Sequence, residues 1–286
     1  MTKLFGVLGF PISHSRSPAM HNAALRATGI DGIYVPLAIP PARVPELVAA
    51  LRALGVHGVN VTLPLKTLIM PLLDELTPAA RAVAAVNTVI ARDGKLIGDN
   101  TDAEGLSRSL LAENVVLEGA NVVVLGAGGA ARATAYGLAL AGAARIAIAA
   151  RKPAEAERLV RELAPSCGNS ALRAFALAPS DDFKHELSRA TLLVQSTSAT
   201  LETSPESSAA ARAFAASLPL DELPAHATVI DLVYKPLETA VLARAKSRGL
   251  KTVDGLGMLL HQGALAFERW TNTPAPLEAM RRALLE

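Results

Sequence analysis

The sequence predicts an α/β fold in two domains. Three observations lead there. The chain has 286 residues, which corresponds to two domains at roughly 150 residues each. Short apolar runs alternate with helix-period stretches along most of its length, the pattern of βαβ units around a mostly parallel sheet. One apolar run, Val122–Leu125, passes directly into the glycine-rich turn Gly126-Ala127-Gly128-Gly129 and then into an Ala-rich helical pattern.

Composition narrows the classes further. Hydrophobic residues make up 51% and charged residues 19%, so a core can form and wholesale disorder is excluded. Aromatics are only 3%, so that core is aliphatic. Lys plus Arg is 28 and Asp plus Glu is 26, a net charge of +2. This balance gives no basis for a nucleic-acid or anionic-membrane partner. The single cysteine, Cys167, can form neither an intrachain disulfide nor a Cys-based zinc cage, and it fits a reducing compartment; no metal is expected. The run Lys3–Phe10 is short, is broken by Pro11 and has no cleavage pattern after it, so it reads as a strand and not a signal peptide. Val122–Ala150 is almost wholly apolar, but Arg132, Arg145 and the glycines interrupt it. A soluble cytoplasmic protein is the expectation.

The elements follow in order. Lys3–Leu8 reads as a strand. Pro18–Thr28 reads as a helix, with Ser17 at the N-cap, Pro18 in its first turn and Gly29 past its end. Tyr34–Ala38 is a strand. Arg43–Leu54 is a helix with Val44, Leu47, Val48 and Leu51 on one face, and Gly58–Val61 is a third strand. Val86–Arg92 and Leu96–Gly98 flank Asp93-Gly94, a hairpin signal. A helix runs from Ala103 through Leu111. Strands follow at 121–125 and 145–149, with helices at 130–141 and 153–163. Later strands are placed at 192–195, 228–232 and 251–253. Thr200–Ser217, polar and Ala/Ser-rich, reads as a mobile excursion. Helices are expected at 237–248, 257–270 and 277–285.

The glycine turn has the form Gly126-x-Gly128-x-x-Ala131. Gly126 permits a tight turn, Gly128 lets the backbone approach a diphosphate, and Ala131 allows close helix–strand packing. The free N–H groups at the helix start attract phosphate. This is a Rossmann-type signature, with Gly126, Ala127, Gly128, Gly129 and Ala130 as cofactor-binding candidates. An NAD site usually carries an acid about 20 residues after the first glycine, bonded to the ribose. Here the next strand ends Ala150-Arg151-Lys152. Two cations there suit a 2′-phosphate, so NADP is expected and Ala150, Arg151 and Lys152 join the candidates.

Four polar clusters fall at strand ends or loops of the N-terminal half, where α/β proteins place ligands. They are His14-Ser15-Arg16-Ser17-Pro18-Ala19-Met20-His21-Asn22, Asn60-Val61-Thr62-Leu63-Pro64-Leu65-Lys66, Asn87-Thr88, and Asn100-Thr101-Asp102-Ala103-Glu104-Gly105. Taken singly, each reads equally well as capping or turn chemistry. Together with Asp231-Leu-Val-Tyr234-x-Pro236 and Gly255-x-Gly257-Met258-Leu259-x-x-Gln262-Gly263, and in this order, they resemble the shikimate dehydrogenase family over nearly the whole chain.

The resemblance implies reversible reduction of 3-dehydroshikimate to shikimate with NADPH, a step toward aromatic amino acids. It implies that Ser15 and Ser17 hold the substrate carboxylate with Tyr234 nearby. Lys66, Asn87, Asp102, Thr62 and Gln262 would bind the ring hydroxyls, with Lys66 as acid/base and Asp102 beside it. Thr197, Leu232 and Gly255 would complete the cofactor site. The substrate domain would be 1–102 with 254–286, and the Rossmann-type NADP-binding domain 103–253. Burial and a neighbouring carboxylate act on an ammonium in opposite directions, so the sequence leaves open which of Lys66 and Asp102 moves the proton.

Two places depart from the family pattern. The family often has Asn-Arg-Thr where this chain has Ala150-Arg151-Lys152, and Asn-Ala-Thr where it has Gln195-Ser196-Thr197. The alternative readings are a quinate or quinate/shikimate dehydrogenase or a paralogue using NAD, and, outside enzymes, a nucleotide-binding sensor on the same scaffold. A monomer and a homodimer are both compatible with the sequence.

Overall fold

The computed structural model describes residues 2–13 and 15–286; His14, which heads the first polar cluster, lies outside the described residues, as does Met1. Among the described residues the chain runs β1 (Lys3–Gly9), α1 (Ser17–Ala27), β2 (Gly32–Ala38), α2 (Val44–Ala53), β3 (Gly58–Val61), β4 (Glu75–Leu76), α3 (Pro78–Val83), β5 (Thr88–Arg92), β6 (Lys95–Asp99) and α4 (Asp102–Ala112). It continues with β7 (Asn121–Leu125), α5 (Gly129–Leu140), β8 (Arg145–Ala150), α6 (Pro153–Leu163), β9 (Ala171–Ala176), α7 (Asp181–Ser188) and β10 (Leu192–Gln195). Then come α8 (Pro205–Ser217), β11 (Thr228–Asp231), α9 (Ala240–Ser247), β12 (Lys251–Val253), α10 (Leu256–Thr271) and α11 (Leu277–Leu285).

These elements form two compact units, Met1–Gly105 with Leu260–Glu286, and Leu106–Leu259. The chain passes from one to the other inside α4 and inside α10. The boundaries drawn from sequence, at 102/103 and 253/254, sit a few residues before these points because nothing in the sequence breaks either helix where the unit changes.

In the first unit the six-stranded sheet has the order β2-β1-β3-β5-β6-β4. β1 pairs parallel with β2 and β3, and β4 pairs parallel with β6. β3, β5 and β6 pair antiparallel. Asp93 and Gly94 both have positive φ, 52° and 76°, which is the turn that a two-residue hairpin requires. The core joins Leu8, Val48, Leu51, Val59, Val61, Leu65, Ile69 and Val89. Trp270 of α10 lies against Gly58, where an added Cβ would come within 2.1 Å of its ring.

The second unit is an all-parallel sheet of order β12-β11-β10-β7-β8-β9. The chain builds outward from β7 in one direction and from β10 in the other. The order therefore reverses between them, and the carboxyl ends of these two strands mark the ligand-binding switch point of an open α/β sheet. The core combines Val123, Leu125, Ala147, Ala149, Leu193 and Val229 with Phe183, Leu187, Val241 and Leu242 from the helices. No helix among the described residues is long and apolar enough to cross a membrane.

Three sequence expectations change. The 200–217 stretch is not an excursion: α8 occupies 205–217, closed by a capping box of Ser204 and Ser207 with Pro205 in the first turn. Ala-rich composition and a strong cap outweigh the polarity that suggested a loop. Ser17 is the first helical residue and not the cap. Arg16 takes the N-cap position without a side-chain bond, and the Ser17 N–H donates to Ser15 Oγ at 3.3 Å. Finally, β4, α3, β9 and α7 occupy stretches that carried no sequence assignment. α3 is only six residues long and β4 two, too short for a periodicity to register.

Candidate active site

Lys66 follows β3 in the turn that Pro64 shapes; the Leu63–Pro64 bond is cis. The Leu65 N–H donates to the Thr62 carbonyl, and the Val86 N–H to the Lys66 carbonyl, so the ammonium leaves a fixed backbone. Its Nζ donates to Asp102 Oδ2 at 2.5 Å. The two side chains retain 25% and 16% of their exposure, enough contact with solvent for proton exchange and enough burial to strengthen the pair. Asp102 is the first residue of α4, where a carboxylate complements the helix dipole. Its N–H donates to Asn100 Oδ1, and its second oxygen, Oδ1, accepts from Asn87 Nδ2 at 2.8 Å.

Asn87 is the hub. Its Nδ2 also reaches Thr101 Oγ1 at 3.0 Å and Gln262 Oε1 at 3.5 Å. Its Oδ1 accepts from the Thr101 N–H at 2.8 Å and from the Thr88 hydroxyl at 3.0 Å. With its acceptor end taken by these donors, the amide has one orientation, N–H toward Asp102. Gln262 arrives from α10, 175 residues further along the chain, because α10 packs on Gly105.

A second polar chain runs behind Asn87. Tyr34 Oη donates to Asn60 Oδ1 at 2.8 Å. Asn60 Nδ2 donates to the Asn87 backbone carbonyl and to Thr88 Oγ1. Ser17 lies against the Tyr34 phenol, whose titration burial pushes well above its ordinary range while the Ser17 contact opposes this. Ser17, Tyr34, Asn60, Asn87, Asp102 and Lys66 thus form one continuous series of contacts, with Ser15 joined through the Ser17 N–H. Thr62 stands at the end of β3, its N–H held by the Leu8 carbonyl. His21 stacks on Tyr34, ring centroids 4.4 Å apart at 9°. Neither of its nitrogens has a hydrogen-bond partner among the described residues. Burial pushes this imidazole down to about 3, with the neighbouring Asn60 opposing.

Tyr34 was not among the candidate residues, and Asn60, Thr88 and Thr101 stood in the polar clusters without an assigned role. The signal for Asn60 was present: an amide inside the apolar strand Gly58-Val59-Asn60-Val61 is buried and must be bonded.

In the second unit Gly126 has φ +113°, a glycine conformation, and an added Cβ would meet Thr197 Cγ2 at 2.8 Å. Gly128 is the N-cap of α5 and offers no side-chain bond. At Gly128 and Gly129 an added Cβ would meet nothing within 4 Å. Bare, open backbone amides at a helix start fit the diphosphate of a dinucleotide. Ala127 and Ala130 border this opening, and Ala131 is buried against the sheet. Leu232 and Gly255 meet: a Cβ at Gly255 would lie 2.3 Å from the Leu232 carbonyl oxygen. Ala150 ends β8, and Arg151 and Lys152 are exposed beyond it. Lys152 pairs with Glu155 at 3.3 Å; Arg151 has no ion-pair partner among the described residues and is the better placed of the two for an anion. Tyr234 belongs to this unit and is exposed. Cys167 is buried in the second unit, and burial pushes its thiol up to about 11, which leaves it unreactive at neutral pH.

A dinucleotide turn at the switch point of a parallel sheet, and in the other unit an ammonium–carboxylate pair ringed by amides and hydroxyls, define a two-unit α/β dehydrogenase of the nicotinamide-dependent class. Comparison with known proteins narrows the class. Residues 7–89 match the shikimate dehydrogenase substrate binding domain, 109–233 the shikimate / quinate 5-dehydrogenase family, and 255–285 the shikimate 5'-dehydrogenase C-terminal domain. The shikimate dehydrogenase (NADP(+)) of Symbiobacterium thermophilum is 45% identical, over 99% of this chain and 94% of its own. The crystal structure of shikimate 5-dehydrogenase from Thermus thermophilus in complex with NADP(H) and shikimate has a TM-score of 0.84 at 37% identity, covering 99% of both chains. That of the Listeria monocytogenes enzyme, in complex with shikimate and NAD, has a TM-score of 0.89 at 34% identity, covering 98% of this chain and 96% of its own. The chain belongs to the shikimate dehydrogenase family.

Proposed function

We propose that the protein catalyses the reversible, NADP-dependent reduction of 3-dehydroshikimate to shikimate, in the cytoplasm. The observation that carries this reading is the 2.5 Å Lys66–Asp102 pair with Asn87 donating to its free carboxylate oxygen. It is a fixed proton-handling group of the kind a carbinol–carbonyl interconversion needs. The nicotinamide, when bound, supplies or accepts the hydride; this chain's residues manage the proton and hold the ring.

In the reductive direction Lys66 Nζ donates to the substrate carbonyl oxygen and delivers its proton as charge develops there. Asp102 holds the ammonium in place with one oxygen and accepts a ring hydroxyl with the other. In the oxidative direction the hydroxyl proton returns to the same pair. Asn87, Thr62 and Gln262 bond the remaining ring hydroxyls, and Ser15 and Ser17, with Tyr234, bond the carboxylate. On the cofactor side, Gly126, Ala127, Gly128, Gly129 and Ala130 face the diphosphate. Arg151, flanked by Ala150 and Lys152, takes the 2′-phosphate as a planar fork, and Thr197, Leu232 and Gly255 line the nicotinamide end.

The test is an assay of purified protein with shikimate or quinate and NADP+ or NAD+, followed by absorbance of the reduced nicotinamide. Turnover fastest with shikimate and NADP+ is expected. A higher kcat/KM with quinate or with NAD+ would reject the assignment, and no turnover with any pair would leave a nucleotide-binding sensor as the reading.

A further inference from the structure

At the Ser196–Thr200 turn this chain departs from its family pattern, and the structure shows what the departure builds. Gln195, the last residue of β10, is fully buried. Its Nε2 donates to the Thr197 carbonyl at 2.8 Å and to Thr200 Oγ1 at 3.0 Å. Its Oε1 accepts from the Thr197 N–H and the Thr197 hydroxyl, both at 2.9 Å. Both amide hydrogens and both carbonyl lone pairs are therefore used within one turn.

The turn is anchored on two sides. Ser196 Oγ donates to the Leu125 carbonyl at 2.6 Å, at the end of the strand that feeds the glycine turn. Thr197 Cγ2 and Ser196 Oγ occupy the space over Gly126, 2.8 and 3.0 Å from where a Cβ would stand. On the other side the Thr200 hydroxyl donates to Asp231 Oδ1 at 3.2 Å. Asp231, buried at the end of β11, also accepts from the Val233 N–H at 3.0 Å and from the Thr239 hydroxyl at 2.7 Å. It thus fixes the segment that begins at Leu232 and carries Tyr234.

The bonds have a direction. Asp231 accepts from Thr200, so the Thr200 hydroxyl is left to accept from Gln195. That turns Nε2 of the Gln195 amide toward Thr200 and leaves Oε1 for Thr197. One carboxylate therefore sets the orientation of the amide that shapes the wall over Gly126.

We propose that Gln195, with Thr200 and Asp231, is a positioning device for the dinucleotide: it holds Thr197 over the glycine turn and locks that turn to the segment after β11. The inference rests on the NADP reading above. These residues act through Thr197 and the backbone of Leu232, without touching the cofactor themselves.

The experiment measures NADP+ and shikimate dissociation constants separately by titration calorimetry, on the intact chain and on Thr200→Val, Thr200→Ser and Gln195→Leu. Thr200→Val keeps the volume and removes the hydroxyl, so it tests the link even if Gln195→Leu, with half-buried Thr197 and buried Thr200 groups left unbonded, fails to fold. NADP+ affinity is expected to fall about tenfold in Thr200→Val, corresponding to the loss of one well-placed hydrogen bond. Shikimate affinity should fall clearly less than NADP+ affinity, since its proposed ligands Lys66, Asn87 and Asp102 lie in the other unit and of its ligands only Tyr234 lies on the segment after β11. Thr200→Ser restores NADP+ binding. A Thr200→Val protein that melts earlier yet binds NADP+ like the wild type would overturn the inference, as would equal weakening of both ligands. A wild-type chain that binds shikimate but not NADP+ would overturn the cofactor reading, and this inference with it.

Discussion

The buried imidazole of His21 makes the first unit acid-sensitive by a calculable amount. In the folded chain the ring stays neutral down to about pH 3; in the unfolded chain it takes up a proton below about pH 6.5. Between these values the unfolded state binds more protons than the folded one. Stability therefore rises with pH in this window and is lost as pH falls through it. The slope is about 1.4 kcal/mol per pH unit, so lowering the pH from about 7.5 to about 4.5 removes roughly 2.5 kcal/mol through this one group. The perturbation that isolates it is His21→Phe, which keeps a flat ring on Tyr34 and removes the titration. Trp270, the sole tryptophan, lies 5.3 Å from the His21 ring and reports unfolding of this unit by fluorescence. Urea titrations at several pH values should show the wild type losing about 2.5 kcal/mol more than His21→Phe over that range. Parallel pH profiles for the two proteins would refute the reasoning, because they would mean that the folded imidazole accepts its proton as readily as the unfolded one.

Other consequences can be read in steady-state and melting experiments. Lys66→Ala should lower kcat by about 10²-fold or more with a smaller change in KM, the signature of a lost general acid; near-normal kcat would reject its role. Arg151→Ala should raise the KM for NADP+ about tenfold and leave that for NAD+ unchanged, as the loss of a charge-assisted phosphate contact predicts; equal effects on both cofactors would remove the 2′-phosphate assignment. Gly105→Ala would place a Cβ 2.7 Å from the Gln262 N and 2.8 Å from its Cα, with backbone atoms that cannot step aside cheaply. It should destabilise the first unit by about 1–3 kcal/mol and raise the KM for shikimate, and an unchanged melting temperature would contradict the packing described here.

Local rules made most of the fold legible. β3 and β7 announce themselves as apolar runs, the Asp93-Gly94 turn as a hairpin, and the glycine turn by its strand and helix context. What escaped depends on which strands became neighbours. The apolar strand around Asn60 signals that its amide must be bonded, but which groups bond it, Tyr34, Thr88 and the Asn87 backbone, follows only once β3 lies between β1 and β5. Thr88 and Thr101 are unremarkable in sequence for the same reason. Gln195 reads as a departure from a motif because the carboxylate that orients its amide through Thr200, Asp231, comes beside Thr200 only in the folded sheet.

The two units handle buried polarity differently, and that difference explains why one half of the site was easier to read. On the cofactor side the candidate ligands are mostly backbone N–H groups, so the sequence signals them by absence of side chain, as glycine and alanine at fixed spacing. On the substrate side the groups are side chains whose orientation must be fixed against rotation. An Asn or Thr ligand keeps its direction only if its other end is bonded, which requires a further layer of buried partners. Tyr34, Asn60 and Thr88 supply that layer here, and each is itself committed to bonds inside the unit. A glycine motif is therefore complete in one stretch of sequence, whereas a hydroxyl-binding amide such as Asn87 is specified only by partners drawn from β2, β3, β5, the residues around the start of α4, and α10.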